Sequence, residues 1–446
     1  MLVRTLLVTL VLPLLLLLNK SSAQCLTGND SPMISTVTRK SIIDSRFIFA
    51  LDTLKQMAQI ETRDNIFYSP YSIHQALTLA YYGARDSTET ALRKTLHLPN
   101  DLSKPDMMRF YSLEKSGKDP GNRNSSNYEY NSANRIWISD TRKVENCMLD
   151  LFSSELEKID FHTNPSAVRD YMNNWVSNMT KGHIHDLFSA DSITADTDLV
   201  LANAVYFKGQ WQSRFDPANS VKGLFHTSQT QQSMVTFMKQ KGNFNHFISE
   251  TLAAHILELP YKGNEVSMFI LLPPYHRSTV GDSKQVGERD SIRQVIERIF
   301  SAPDFMELRE LLDSKNVLPQ EVEIFLPKFT IEKDLPLAVL LHALGVAELV
   351  TPGRANLRGF VADGEKPLHL GDAVHRARIE VTEEGTTAAA ATALLSFRSG
   401  RPLQPALFKA DHPFLYFIYE KPTRTILFCG IYRSPNPQQT TAETSA

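Results

Sequence analysis

The chain has 446 residues, 42% of them hydrophobic and 22% charged, with a formal net charge of −2. That length can bury a large core, and the near-neutral balance gives no electrostatic basis for holding nucleic acid, so that class is set aside. Three cysteines are too few, and odd in number, for a disulfide-built scaffold.

The chain begins MLVRTLLVTLVLPLLLLLNKSSAQC. Arg4 gives a short positive start, Leu6 to Leu18 an apolar run, and Ser21 and Ala23 the small side chains of a signal-peptidase site. The run is shorter than the roughly 20 residues that span a bilayer. Residues 1–23 are therefore expected to be a cleaved signal peptide, and the protein to be secreted and extracellular with no membrane partner. Secretion opens three Asn-X-Ser/Thr triplets to glycosylation, at Asn29, Asn124 and Asn178. Asn124, in the polar stretch SGKDPGNRNSSN, is the strongest of them. Cys25 would fall almost at the mature N-terminus, free or paired, whereas Cys429 in TILFCG reads as a small buried hydrophobe.

Residues 41–60 place Ile43, Phe47, Ala50, Leu51, Leu54 and Met57 at helical spacing. A Ser-Pro start at Ser69–Pro70 predicts a helix to about Tyr82, and a second short helix follows Ser87. LVLANAVYFKGQW, AAHILELPY, VSMFILLPP and VEIFLPKFTIE each read as a strand. LPLAVLLHALGVAELV reads as a helix ended by Gly345, ARIEVTEEG as a strand, and HPFLYFIYEKPTRTILFCGIY as two strands joined at Lys421–Pro422. Residues 99–127 and 275–291 are polar and aperiodic and are expected to be loops. Helices gather early and strands late, an α+β pattern rather than a regular βαβ alternation. No linker or repeat divides the mature chain, so on pattern alone one domain is as plausible as two.

Signatures of catalysis are missing: there is no GxSxG, HExxH, phosphate loop or CxxC. His183 and His185 in KGHIHDLF have no third ligand nearby and read as ordinary surface or capping residues, not a metal site. Glu383 and Glu384 stand side by side between a strand and Gly385, where they are expected to keep a mobile segment solvated.

The stretch that follows, EEGTTAAAATA from Glu383 to Ala393, resembles the hinge of a serpin, the serine protease inhibitor family. NIFYSPYSI, with Ser69 and Ser72, resembles the family's start of helix B. LANAVYFKGQWQSRFD, with Asn203 and Trp211, resembles the third strand of its sheet A. ELPYKG, LPKF and ADHPFLYFIYEKPTRTILFCG match in order, and His375 falls where the family pairs a histidine with that asparagine. The series runs in register over nearly the whole mature chain, which is identified as a member of that family.

The resemblance implies an α+β serpin fold of three β-sheets and about nine helices, one domain over residues 24–446, and an exposed reactive loop at about 383–402. It implies an inhibitor rather than an enzyme, without cofactor, metal or oligomeric partner before complex formation. Inhibitory members are suicide substrates: a protease cleaves the loop, is held as an acyl-enzyme, and is trapped as the loop enters sheet A. The alternative within the family is a non-inhibitory member that carries a ligand or acts as a chaperone. Ser69, Ser72, Asn203 and His375 would lie where the sheet opens. Glu383, Glu384, Gly385, Thr386, Ala388, Ala389, Ala390 and Ala391 would form the hinge.

The residues are compatible with insertion on their own chemistry. A strand alternates its faces, sending Thr386, Ala388, Ala390, Thr392, Leu394 and Ser396 one way and Thr387, Ala389, Ala391, Ala393 and Leu395 the other. No charge falls on either side, where an unpaired one could cost several kcal/mol. Gly385 leaves the backbone free to turn.

Trypsin-like proteases have an acidic specificity pocket, so the bait residue is expected to be Arg398, with Ser399 small and unobstructed behind it. Arg401 precedes Pro402, whose ring opposes substrate-like pairing. The family's usual count of seventeen from Glu383 would reach Ser399 instead, which implies an elastase-like target. Lys104, Arg109, Lys115 and Lys118 lie among acids, where a glycosaminoglycan site is the alternative to a solvated surface.

Overall fold

Ser35 and Ser69 show how short polar side chains start this fold's helices. Each Oγ accepts from a backbone N–H three residues on, Thr38 at 3.0 Å and Ser72 at 3.1 Å. The computed structural model describes residues 33–116, 128–275, 290–313, 317–384 and 405–435, apart from residues 352, 363, 366, 367 and 369. Among the described residues are nine α-helices and three β-sheets, the α+β serpin architecture expected.

The helices, in chain order, are α1 (Thr36–Ile60), α2 (Pro70–Gly83), α3 (Asp86–Thr95), α4 (Lys104–Ser116), α5 (Asn146–Leu151), α6 (Pro165–Met179), α7 (Ser291–Ser301), α8 (Met306–Leu312) and α9 (Leu337–Ala343). Nearly every residue of α2 is buried, so it is a core helix without a solvent face. Gly345, at φ 84°, takes the left-handed conformation two residues after α9, as its place in the sequence suggests. Helix α4 corrects the expectation of a loop over 99–127. Met107, Met108 and Phe110 are buried on one side while Asp106, Glu114 and Lys115 carry the polar surface that hid the period.

The central five-stranded sheet has the order β11 (Phe329–Leu335), β12 (Leu370–Val381), β4 (Leu199–Gly209), β2 (Tyr128–Ser139), β3 (Leu156–Ile159). A six-stranded sheet runs β1 (Ile66–Tyr68), β15 (Thr425–Tyr432), β14 (Phe414–Glu420), β9 (Val266–Leu272), β8 (Ala254–Pro260), β7 (His246–Ser249). A four-stranded sheet runs β13 (Ala406–Lys409), β10 (Gln320–Pro327), β6 (Gln232–Phe244), β5 (Val221–His226).

Two strand expectations change. VEIFLPKFTIE is not one strand but the end of β10 and the start of β11, in different sheets. Pro327 has no N–H for a ladder, and the Lys328 N–H donates to Thr236 O as the chain passes between sheets. Strand β12 starts at Leu370, seven residues before ARIEV. Its alternation is carried by His375, Ala377, Ile379 and Val381 inside against Arg376, Arg378 and Glu380 outside. Charged outer residues with ion-pair partners disguised it.

Candidate functional site

Strands β4 and β12 lie side by side and parallel, paired from Leu370↔Leu199 to Ile379↔Phe207, with His375 opposite Asn203. β12 runs on into Thr382, Glu383 and Glu384; the chain is described again at Pro405, and β13 is paired with β10 in the four-stranded sheet. Residues 385–404 therefore join two sheets and leave from the end of the β4–β12 seam. A segment folding back from β12 would be antiparallel to β12, and hence to β4 as well. It would replace one parallel pairing by two antiparallel ones, which are slightly more stable per residue. From Thr386 to Arg398 there are thirteen residues, against twelve in β12.

Beneath the middle of the seam the buried start of α2 is tied to both strands. The Ser69 N–H donates to His375 Nε2 at 3.2 Å, and His375 Nδ1 lies 2.5 Å from Asn203 Oδ1. Because a backbone N–H can only donate, Nε2 must be the bare nitrogen, and Nδ1–H donates to Asn203. The imidazole is neutral, and burial pushes its pKa down to about 3. Ser69 Oγ donates to Leu427 O at 2.7 Å, and Ser72 Oγ to Asn134 Oδ1 of β2 at 2.9 Å. The four residues Ser69, Ser72, Asn203 and His375, singled out in the sequence, are thus brought together and fully buried.

At the upper end the chemistry is ionic. Glu383 is 7% exposed, which corrects the expectation that both glutamates are solvated; only Glu384 is exposed. Ser220 Oγ donates to Glu383 Oε1 at 2.8 Å, and Lys328 Nζ lies 3.0 Å from Oε2. Burial alone would raise its pKa, but its own backbone N–H, Lys328 and Ser220 outweigh this and hold it below the ordinary carboxylate value. Trp211 Nε1 donates to Thr382 O at 2.9 Å while its ring stacks on Tyr261 at 4.6 Å. Lys328 lay within the quoted LPKF, but nothing in the sequence pairs it or Ser220 with Glu383.

The outer face of the seam is crossed by the segment after α6. The His183 ring stacks on Tyr206 of β4 at 3.7 Å, and Arg376 of β12 donates to His185 O at 2.7 Å while ion-paired to Asp334. His183 thus acts as a packing group, and no cluster of three metal-ligating side chains occurs among the described residues. The segment spans the seam from β4 to β12, a role the sequence did not reveal.

Residues 1–32, with the expected signal peptide, Cys25 and Asn29, lie outside the described residues, as do Asn124, Gly385, Thr386, Ala388, Ala389, Ala390, Ala391, Arg398, Ser399 and Arg401. Asn178 is exposed near the end of α6. Cys147 is disulfide-bonded, and Cys429 is a buried free thiol. Lys104, Arg109 and Lys115 are each ion-paired, to Glu89, Asp106 and Glu155. No described helix is long and apolar enough to cross a membrane.

A family model described as serpin (serine protease inhibitor) matches residues 45–435. Serine protease inhibitor 88Ea of Drosophila melanogaster is 36% identical over 402 residues, 87% of this chain and 89% of that protein. The leukocyte elastase inhibitor of Equus caballus is 33% identical over 394 residues, 87% of this chain and 97% of its own. Among solved structures, uncleaved ovalbumin aligns with a TM-score of 0.71 at 26% identity, covering 89% of this chain and 100% of the other. A highly specific serpin of the insect Tenebrio molitor aligns at 0.69 and 28%, covering 91% and 100%. With the sheet order, the buried histidine lock and these matches in agreement, the chain belongs to the serpin family of serine protease inhibitors.

Proposed function

We propose that the protein is an irreversible suicide-substrate inhibitor of an extracellular trypsin-like serine protease, with Arg398–Ser399 as the scissile bond. The observation that carries this reading is the β4–β12 seam, whose two parallel strands would both accept the returning chain as an antiparallel partner. The run Thr386 to Phe397 is uncharged and small enough to enter it. Cleavage frees the upstream arm, insertion buries it, and the acylated protease is carried along before deacylation. The protein would be secreted and glycosylated, and monomeric until it meets its target. Asn178 is the described acceptor whose exposure suits a glycan.

The test is to mix the secreted protein with trypsin, boil the products in denaturant, and identify the released C-terminal peptide by mass spectrometry. A complex that survives boiling and a peptide starting at Ser399 are expected. Cleavage without the complex overturns trapping, and a peptide starting at Gly400 or Pro402 overturns the bait residue. Thr386→Arg, which must bury an unpaired charge, should turn the inhibitor into a substrate while leaving acylation unchanged.

A further inference from the structure

Away from the seam, Cys147 is the second residue of α5, half-buried and packed against the main core. Its sulfur is held in a disulfide, whereas Cys429 in β15 is a free thiol with no exposure. Burial pushes the Cys429 pKa well up, so that thiol stays protonated and inert. The chain has three cysteines, and the third is Cys25. With Cys429 free, Cys25 is the one residue of this chain left to bond Cys147.

Helix α5 is poorly secured by anything else. It has six residues, too few for a helix to be stable alone, and its N-cap residue, Glu145, makes no side-chain cap. Met148 is the one residue of the six that is fully buried. The other ties lie at its margins. The Glu145 N–H donates to Phe360 O at 2.9 Å, Val144 bridges to Val361, and the Phe152 ring packs on Tyr111 of α4 at 5.3 Å. A covalent bond at Cys147 therefore falls where the fold is thinly held.

We propose that a Cys25–Cys147 disulfide staples the segment ahead of α1 to α5. Its formation takes two protons and two electrons from the two thiols. One thiolate attacks the disulfide of an oxidised dithiol carrier, and the second then displaces that carrier, which leaves as the dithiol. Such bonds form and persist in oxidising compartments. A cut after Ala23 would leave Cys25 in the mature chain. The pairing does not depend on the inhibitory reading, since a protein that traps no protease would still carry it.

Mass spectrometry of the secreted full chain, denatured with N-ethylmaleimide present and digested without reductant, tests it. Cys25 and Cys147 should appear in one linked pair of peptides, and Cys429 as the maleimide adduct. A maleimide on Cys25, a Cys25–Cys429 pair, or a disulfide-linked dimer in a non-reducing gel would overturn the proposal. In Cys25→Ser, amide hydrogen exchange over residues 146–151 should quicken by about tenfold, and by more than over β14 and β15. If that variant is not secreted, reducing the native protein with a phosphine should give the same local effect, because Cys429 has no bond to lose. Equal exchange over α5 with and without the bond would overturn its role as a staple.

Discussion

The middle and the upper end of the β4–β12 seam are closed by opposite chemistry. In the middle, Ser69, Asn203 and His375 are no more than 1% exposed and hold the strands through neutral hydrogen bonds. At the upper end, a carboxylate 9% exposed meets an ammonium group whose side chain is 46% exposed. The neutral lock has no charge for salt to screen but depends on one imidazole staying unprotonated. The ionic lock is open to screening and to charge reversal, and it sits where the chain leaves the sheet. The same seam is therefore sensitive to acid at its middle and to salt at its mouth.

The largest effect is expected from His375→Phe. It leaves the Ser69 N–H and the Asn203 Oδ1 without their shared partner, and at about 1–3 kcal/mol per buried orphan the loss should be about 4 kcal/mol in a urea titration. A loss under about 1 kcal/mol would mean that the middle of the seam is held by packing alone.

Acid should act through the same ring. Between a folded pKa of about 3 and an unfolded value of about 6.5, the unfolded state binds more protons, so stability rises with pH across that window. On moving from pH 7.5 to 4.5, this group alone should cost on the order of 3 kcal/mol. Glu383 works in the same direction. Its depressed pKa contributes stability above the unfolded carboxylate value, and this is lost as pH falls through its folded one. Urea titrations at both pH values should show an acid loss in His375→Phe smaller by about 3 kcal/mol, the share of this one ring. A full acid loss in that variant would put the sensitivity elsewhere.

Charge reversal at the mouth should be milder because Lys328 is half in water. Glu383→Lys is expected to cost about 1–2 kcal/mol at low ionic strength, with the deficit shrinking in about 1 M salt. The His375→Phe deficit should not shrink under the same conditions. If both respond to salt alike, the contrast between the middle of the seam and its mouth is wrong.

The smallest effect is expected on the outer face. Arg376→Met removes the bond to His185 O and should lower overall stability by less than about 1 kcal/mol. Amide hydrogen exchange over residues 181–187 should nevertheless quicken by about fivefold, because that contact holds the crossing segment to β12. Unchanged exchange there would show that His183 on Tyr206 holds the segment by itself.

How far the sequence could be read depended on whether a signal was local. The Ser-Pro cap of α2 and the glycine after α9 are properties of a few neighbouring residues, and the structure has both. Helix α4 escaped because its polar side chains outnumber the few apolar ones that face inward. β12 was seen only in its last five residues because its outer residues are charged and find ion-pair partners. The lock of Ser69, Asn203 and His375 spans some 300 positions and was legible only through likeness to relatives. The partnership of Glu383 with Ser220 and Lys328 depends on a chain reversal between sheets that no local pattern announces.

Pro327 and Lys328, where one sheet hands the chain to another, also close a mechanical circuit. β13 is paired to Val322–Phe325, and β12 to Phe329–Leu335, on either side of that single joint. Residues 385–404 complete a ring that runs from β12 through β13 and β10 to β11 and back to β12. While the ring is intact, no arm can travel far without pulling on the others. Cutting one peptide bond in that connection frees the upstream arm to move, while the downstream arm stays pinned along β10. The joint at Lys328 would be the fixed pivot of this linkage, and a cut in the connection would be its release.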